Sequence, residues 1–147
     1  MSELVYTATS RPAITNVQIT VNGSTPIFSS ASLNMSGTFE RSDFLNTLPP
    51  IFLESPGVGD SLSGVLHMSD LANVFEAQLN YSLTDDAGKL LTMGIIEATA
   101  GTGAWGTFAH NVVYTPTSAS SATLHVYDLS AKNGSIIDSV VVLLPLT

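Results

Sequence analysis

Gly59-Asp60-Ser61-Leu62 is the run of residues in this chain that looks most like chemistry. A Gly-Asp-Ser-Leu tetrapeptide presents the nucleophilic serine in one class of α/β hydrolases. That chemistry needs an oxyanion hole built from later Gly and Asn residues and a late Asp-x-x-His pair to activate the serine. Of the three histidines here, none has Asp three residues before it. Pro56, Gly57 and Gly59 place the tetrapeptide in a turn that leads into a strand, not after one. The residues therefore read as structure: Gly59 and Asp60 make the turn and Leu62 begins the core.

The remaining reactive residue types are scattered. His67, His110 and His125 each sit alone within a strand pattern, without a second ligand at metal-binding spacing. Asp85-Asp86 supplies two adjacent carboxylates, whereas a calcium loop supplies several alternating oxygens. Glu76 and Glu97 fall at outward positions of neighbouring strands, where solvated charge is expected in place of a glycosidase pair. No catalytic residue, metal site or cofactor is expected. Trp105, the single tryptophan, lies among Gly101, Gly103 and Gly106 and is the one binding candidate. It could serve as an exposed platform for a sugar ring or a partner, but burial favours a ring that plugs one end of the core.

Composition limits what the supporting elements can be. Hydrophobic residues are 44% of the chain and charged residues 11%, enough for a packed core in 147 residues. Four basic residues face twelve acidic ones, for a formal charge of -8, which argues against nucleic acid and anionic membranes as partners. Cysteine is absent, so neither disulfides nor a thiolate nucleophile enter. No apolar run reaches the roughly 20 residues needed to span a bilayer. Met1-Ser2-Glu3 lacks the basic and apolar regions of a secretory signal, so an export signal or lipid anchor is expected outside this chain.

From Ile51 onward the polar and apolar residues alternate in short runs separated by turns. The expected strands are 51–54, 62–68, 74–84, 89–98, 107–115, 123–129 and 135–144. Asp85-Asp86-Ala87-Gly88 suits a type I turn with positive φ at Gly88, and Asn133-Gly134 suits a hairpin tip. About seven short strands at regular spacing predict an all-β sandwich over 48–147. The expected core is Phe75, Leu79, Tyr81, Leu83, Leu90, Ile95, Trp105, Phe108, Val112, Leu124, Val126, Val140 and Val142. Residues 1–47 differ in texture. They predict a helix over 2–9 capped by Ser2, with Leu4, Val5 and Ala8 as its apolar face. They also predict a strand over 16–21 closed by Asn22-Gly23, and a weaker strand over 32–35. Leu48-Pro49-Pro50 is the natural joint. So little chain is a poor independent unit, and its exposed apolar faces predict self-association as a homodimer.

Residues 51–147 resemble the Gmad2 domain, the immunoglobulin-like module of bacterial spore-germination-associated proteins. The resemblance rests on Ser55-Pro56 with Gly59, on Ala72-Asn73-Val74-Phe75-Glu76 and on Asp86-Ala87-Gly88-Lys89. It continues through Trp105-Gly106-Thr107-Phe108, the tract from Leu124 to Ser130, and Lys132-Asn133-Gly134. Residues 1–47 are similar to the tail of a GerMN domain, on Leu4-Val5-Tyr6-Thr7, Val17 to Gly23 and Arg41-Ser42-Asp43-Phe44. The resemblance implies an immunoglobulin-like sandwich and a non-catalytic, extracytoplasmic module of a cell-envelope protein, commonly a lipoprotein. Its partner would be a protein or a cell-wall component. The alternative is a module that binds cell-wall carbohydrate through Trp105 and its neighbouring loops.

Overall fold

The computed structural model describes residues 1–11, 13–26, 36–115 and 117–147. The weaker strand expected over 32–35 lies outside the described residues. The chain divides into two compact units, Met1–Leu48 and Pro49–Thr147.

The second unit is an immunoglobulin-like sandwich of seven strands: β1 (Ile51–Ser55), β2 (Val65–Ala72), β3 (Gln78–Asp85), β4 (Leu90–Glu97), β5 (Gly106–Val113), β6 (Ser121–Leu129) and β7 (Ile136–Pro145). One sheet has the order β1-β2-β5 and the other β4-β3-β6-β7, and neighbouring strands within each run antiparallel. Alternation in the sequence becomes alternation of faces. Leu79, Tyr81 and Leu83 of β3 and Leu124 and Val126 of β6 point into the sandwich from one sheet. Leu66 and Met68 of β2 and Phe108 of β5 meet them from the other. Each such side chain contributes about 1.5–3 kcal/mol on burial. Val112 and Val140 pack half-buried against this core, and Val142 is buried.

Three expected core residues are corrected. Phe75 is 45% exposed, because β3 begins only at Gln78. Before it, a tight turn over Phe75–Ala77 puts Glu76 (φ 52) and Ala77 (φ 58) in the left-handed region and breaks the strand phase. Leu90 and Ile95 also lie outside, while Leu91 and Ile96 take their places. The hairpin register is the cause. It sets Leu79 opposite Ile96 and Tyr81 opposite Gly94, and the irregularity between Leu83 and Thr84 leaves Leu91 as an extra, inward-turned residue. Trp105, expected as a buried plug, is half-buried.

The first unit holds α1 (Ser2–Ala8) and a 3₁₀ helix at Arg41–Thr47. Met1, not Ser2, occupies the helix cap, and the buried residues of α1 are Val5 and Tyr6, with Leu4 exposed. Arg41 binds the end of α1. Its Nε donates to Thr9 Oγ1 at 2.8 Å, its Nη2 donates to the Tyr6 carbonyl at 3.3 Å, and its guanidinium lies 4.8 Å from the Tyr6 ring centre. A cation at the carbonyl end of a helix is favourably placed. The strand expected over 16–21 is not formed. Val17 bridges Phe39, while Val21 closes on Ser24 across Asn22 (φ 52) and Gly23 (φ 77), the expected tight turn. With Val21 bonded to Ser24, that tight turn takes up the groups a longer ladder would need.

Candidate functional site

The sandwich carries a cleft at each end of its larger sheet. The larger cleft has a volume of about 400 Å³ and lies where β3 starts and β6 ends. Pairing between β3 and β6 covers Asn80–Asp85 only, so Gln78 and Leu79 part from β6 and open the gap. Phe75, Glu76, Gln78, Asn80 and Asp128 line it, with the hairpin tip after β6.

Asp128 is the informative residue there. It continues the inward series Ala122, Leu124, Val126 on β6 and is 4% exposed. Its carboxylate receives no hydrogen bond from the described residues and faces the cleft. A carboxylate at an apolar strand position is costly without a partner. Glu76 adds a second carboxylate, Gln78 and Asn80 add amides, and Phe75 adds an exposed ring. The set suits a ligand that brings a cationic or polyhydroxylated group beside an apolar edge. Sequence reasoning missed it because Phe75 was placed in the core. The signal available was Asp128 itself, an acid in the inward phase of β6.

Trp105 lies at the same end of the sandwich. Its loop is fastened to the turn that carries Phe75 and Glu76. Thr102 N–H donates to the Val74 carbonyl at 2.8 Å, Glu76 N–H to Thr102 Oγ1 at 3.0 Å, and Gly103 N–H to Asn73 Oδ1 at 2.9 Å. Two glycines make the close approach feasible. A Cβ at Gly101 would meet the backbone of Val74 and Ala77, and one at Gly106 the backbone of Ala100.

The smaller cleft, about 280 Å³, is lined by Gly64, Tyr114 and Thr117 among others. The Tyr114 hydroxyl accepts from Gly64 N–H at 3.0 Å. Nearby, Asp85 Oδ1 accepts from Lys89 N–H at 2.8 Å and Ala87 N–H at 3.1 Å, and Oδ2 accepts from the Thr117 hydroxyl at 2.8 Å. The Lys89 N–H and the Thr117 hydroxyl, with lesser help from Ala87 N–H and the Lys89 charge, hold the Asp85 carboxyl below its ordinary range against the opposing effect of burial.

The other reactive residues stay apart. Ser61 is exposed, and Asp60 turns its carboxylate to Gly57 N–H at 2.7 Å. Leu62 is buried, as the turn reading expects. His67 Nδ1 lies 2.7 Å from Asn111 Oδ1, His110 packs on Tyr81 at 5.5 Å, and His125 packs on Tyr127 at 4.8 Å, so the three serve different neighbours. Among the described residues no group of three His, Asp or Glu comes together to hold a metal ion. Asp85 and Asp86 diverge: Asp86 Oδ2 accepts from the Ser120 hydroxyl at 3.0 Å. Glu97 stands opposite Gln78, not Glu76.

A family model described as the immunoglobulin-like domain of bacterial spore germination, Gmad2, matches residues 50–135. The chain belongs to this family. The match covers more than half of the chain and takes in β1 through β6 and the hairpin tip before β7. Comparison with curated proteins and with solved structures found no match. A Gmad2 chain is a germination-type immunoglobulin-like module, a fold type without catalytic machinery of its own. No helix among the described residues is long and apolar enough to cross a membrane.

Proposed function

We propose that this Gmad2 chain is an accessory interaction module of a bacterial cell-envelope protein, working outside the cytoplasm in a germination-related role. It grips a protein partner at the cleft between β3 and β6. The observation that carries this reading is Asp128, a nearly buried carboxylate on an inner strand position that opens onto a cleft beside the exposed Phe75 ring. A lysine or arginine side chain of the partner would satisfy Asp128 and Glu76 and rest its methylenes on Phe75. Residues 1–47 belong in this reading to the tail of a GerMN-like domain. Its Arg41-Ser42-Asp43-Phe44 segment forms a built element, with Glu40 N–H donating to the Asp43 carboxylate at 2.9 Å.

The test is site-specific photo-crosslinking in the parent bacterium, combined with fractionation. A crosslinker at position 75 should give a discrete protein adduct in the envelope fraction, lost in Asp128→Asn and absent from a crosslinker at the fully exposed Val58. Adducts from both positions, or adducts indifferent to Asp128, would remove the cleft from the account.

Trp105 supports a second reading, in which the same end binds cell-wall glycan. Trp105 is half-buried, in a loop bonded through Thr102 to the Phe75 turn. Titration with cell-wall fragments separates the two, since saturable binding abolished in Trp105→Ala belongs to the glycan reading alone. Under either reading ester and glycoside substrates are not turned over, and Ser61→Ala changes nothing.

A further inference from the structure

The larger sheet ends in β7; β1 of the other sheet runs near it, but among the described residues only Leu62, at its Pro145 end, pairs with its outer edge. Pro145 gives its carbonyl to Leu62 N–H at 2.9 Å, so the main-chain groups of Pro145 point away from β6. Leu146 N–H, the next residue, donates toward β6, to Ser120 at 2.9 Å. In an antiparallel ladder this direction alternates residue by residue. The β6–β7 register runs without irregularity from Pro145 back to Asp138. The N–H and C=O groups of Leu143, Val141 and Ser139 therefore also point outward, and no hydrogen bond within the described residues takes them up. The side chains of Val141 and Leu143 are 62% and 65% exposed. An uncharged, apolar edge of this kind is a template for another strand.

We infer that β7 pairs with β7 of a second copy of this chain, antiparallel about Val141, joining two four-stranded sheets into one. Several features single out a second copy. The free stretch has Val141 at its centre, so a two-fold axis there sets Ser139 opposite the partner copy's Leu143, and every outward group finds a complement. Leu62, bonded to the Pro145 carbonyl, ends the pairing on one side, and symmetry makes it the limit on the other. The chain is acidic overall, but residues 139–147 carry no charged side chain. The axis sets Asp138 opposite Leu144 of the partner copy, so the two Asp138 carboxylates stand apart by about six residues of extended strand, some 20 Å, beyond the screening length at physiological salt. The β4 edge is less available, because β5 closes on it at both ends: Thr115 N–H bonds to the Leu91 carbonyl at 3.1 Å and Thr99 N–H to the Thr107 carbonyl at 2.9 Å. This inference stands apart from the cleft reading and does not need it.

Val141→Pro tests it without dismantling the sandwich. It removes an N–H that β6 does not use, as Pro145 already does two pairs along the same ladder. Sedimentation of the full chain over a wide concentration range should show a monomer–dimer equilibrium. Val141→Pro should raise the dissociation constant tenfold or more while the circular dichroism spectrum stays native. Hydrogen exchange should show the amides of Ser139, Val141 and Leu143 protected at high concentration and open on dilution. Val141→Lys should weaken the dimer likewise. A concentration-independent monomer overturns the inference. So does a dimer that survives Val141→Pro, or one lost in Val21→Lys or Ile95→Lys and intact in Val141→Pro, which would move the interface to the first unit or to β4.

Discussion

The carboxylate of Asp85 accepts a 2.8 Å hydrogen bond from the hydroxyl of Thr117, tying the β3–β4 turn to the loop that enters β6. With the N–H groups of Lys89 and Ala87 on its other oxygen, Asp85 serves the fold best when ionised. Its folded pKa is depressed, so this stabilisation is complete above the ordinary aspartate value of about 3.9. It is lost as pH falls below that value and through the folded one. Asp85→Asn should lower the melting temperature at neutral pH, and the gap to wild type should close in acid. A gap that stays constant from neutral pH to acid would exclude the carboxylate as its source.

Leu79 and Phe75 lie four residues apart but differ in environment. Leu79 is fully buried and Phe75 is 45% exposed. Leu79→Ala should cost about 2–5 kcal/mol. Phe75→Ala, which on strand alternation alone would match it, should cost well under half as much. Urea denaturation of both variants compares them directly, and equal losses would restore the uninterrupted strand.

Gly101 is fixed by space. A Cβ there collides with main-chain atoms of Val74 and Ala77, which have no rotamer to move. Gly101→Ala should destabilise by about 1–3 kcal/mol or more and displace the Phe75–Ala77 turn. A native melting curve for this variant would show that the loop gives way freely.

Ala77 holds a left-handed φ of 58 without a glycine's freedom. Relieving it in Ala77→Gly recovers about 1–2 kcal/mol of backbone strain, against about 0.5–1 kcal/mol of added unfolded-chain entropy. The variant should be as stable as wild type or slightly more stable, by calorimetry. A clear loss would mean that the Ala77 methyl packs more than its half-exposed position indicates.

The strand plan was legible because period-two alternation and turn chemistry are local. Asp85 to Gly88 closes as its residues predict, with Gly88 at φ 82, and so does Asn133-Gly134, with Gly134 at φ 69. Phase was harder to read. Nothing in Val74-Phe75-Glu76-Ala77 announces that two non-glycine residues will take positive φ. That turn is imposed by the Thr102 and Gly103 contacts, which come from a loop some 26 residues on. Leu90 and Leu91 are chemically identical, and only the hairpin irregularity decides which one enters the core. The cleft was hidden for the same reason, since it forms where β3 and β6 stop pairing. Asp128 was visible as an acid in the inward phase of β6, but the gap it faces was not.

Leu62 runs parallel to the end of β7, giving its N–H to Pro145 and taking the N–H of Thr147 at 2.9 Å. Tension applied along the chain at the two ends of the sandwich would drag these segments in opposite directions. Both bonds would then bear the load together in shear instead of opening one after the other like a zip. That small patch would decide how much pull the module withstands before β7 comes away.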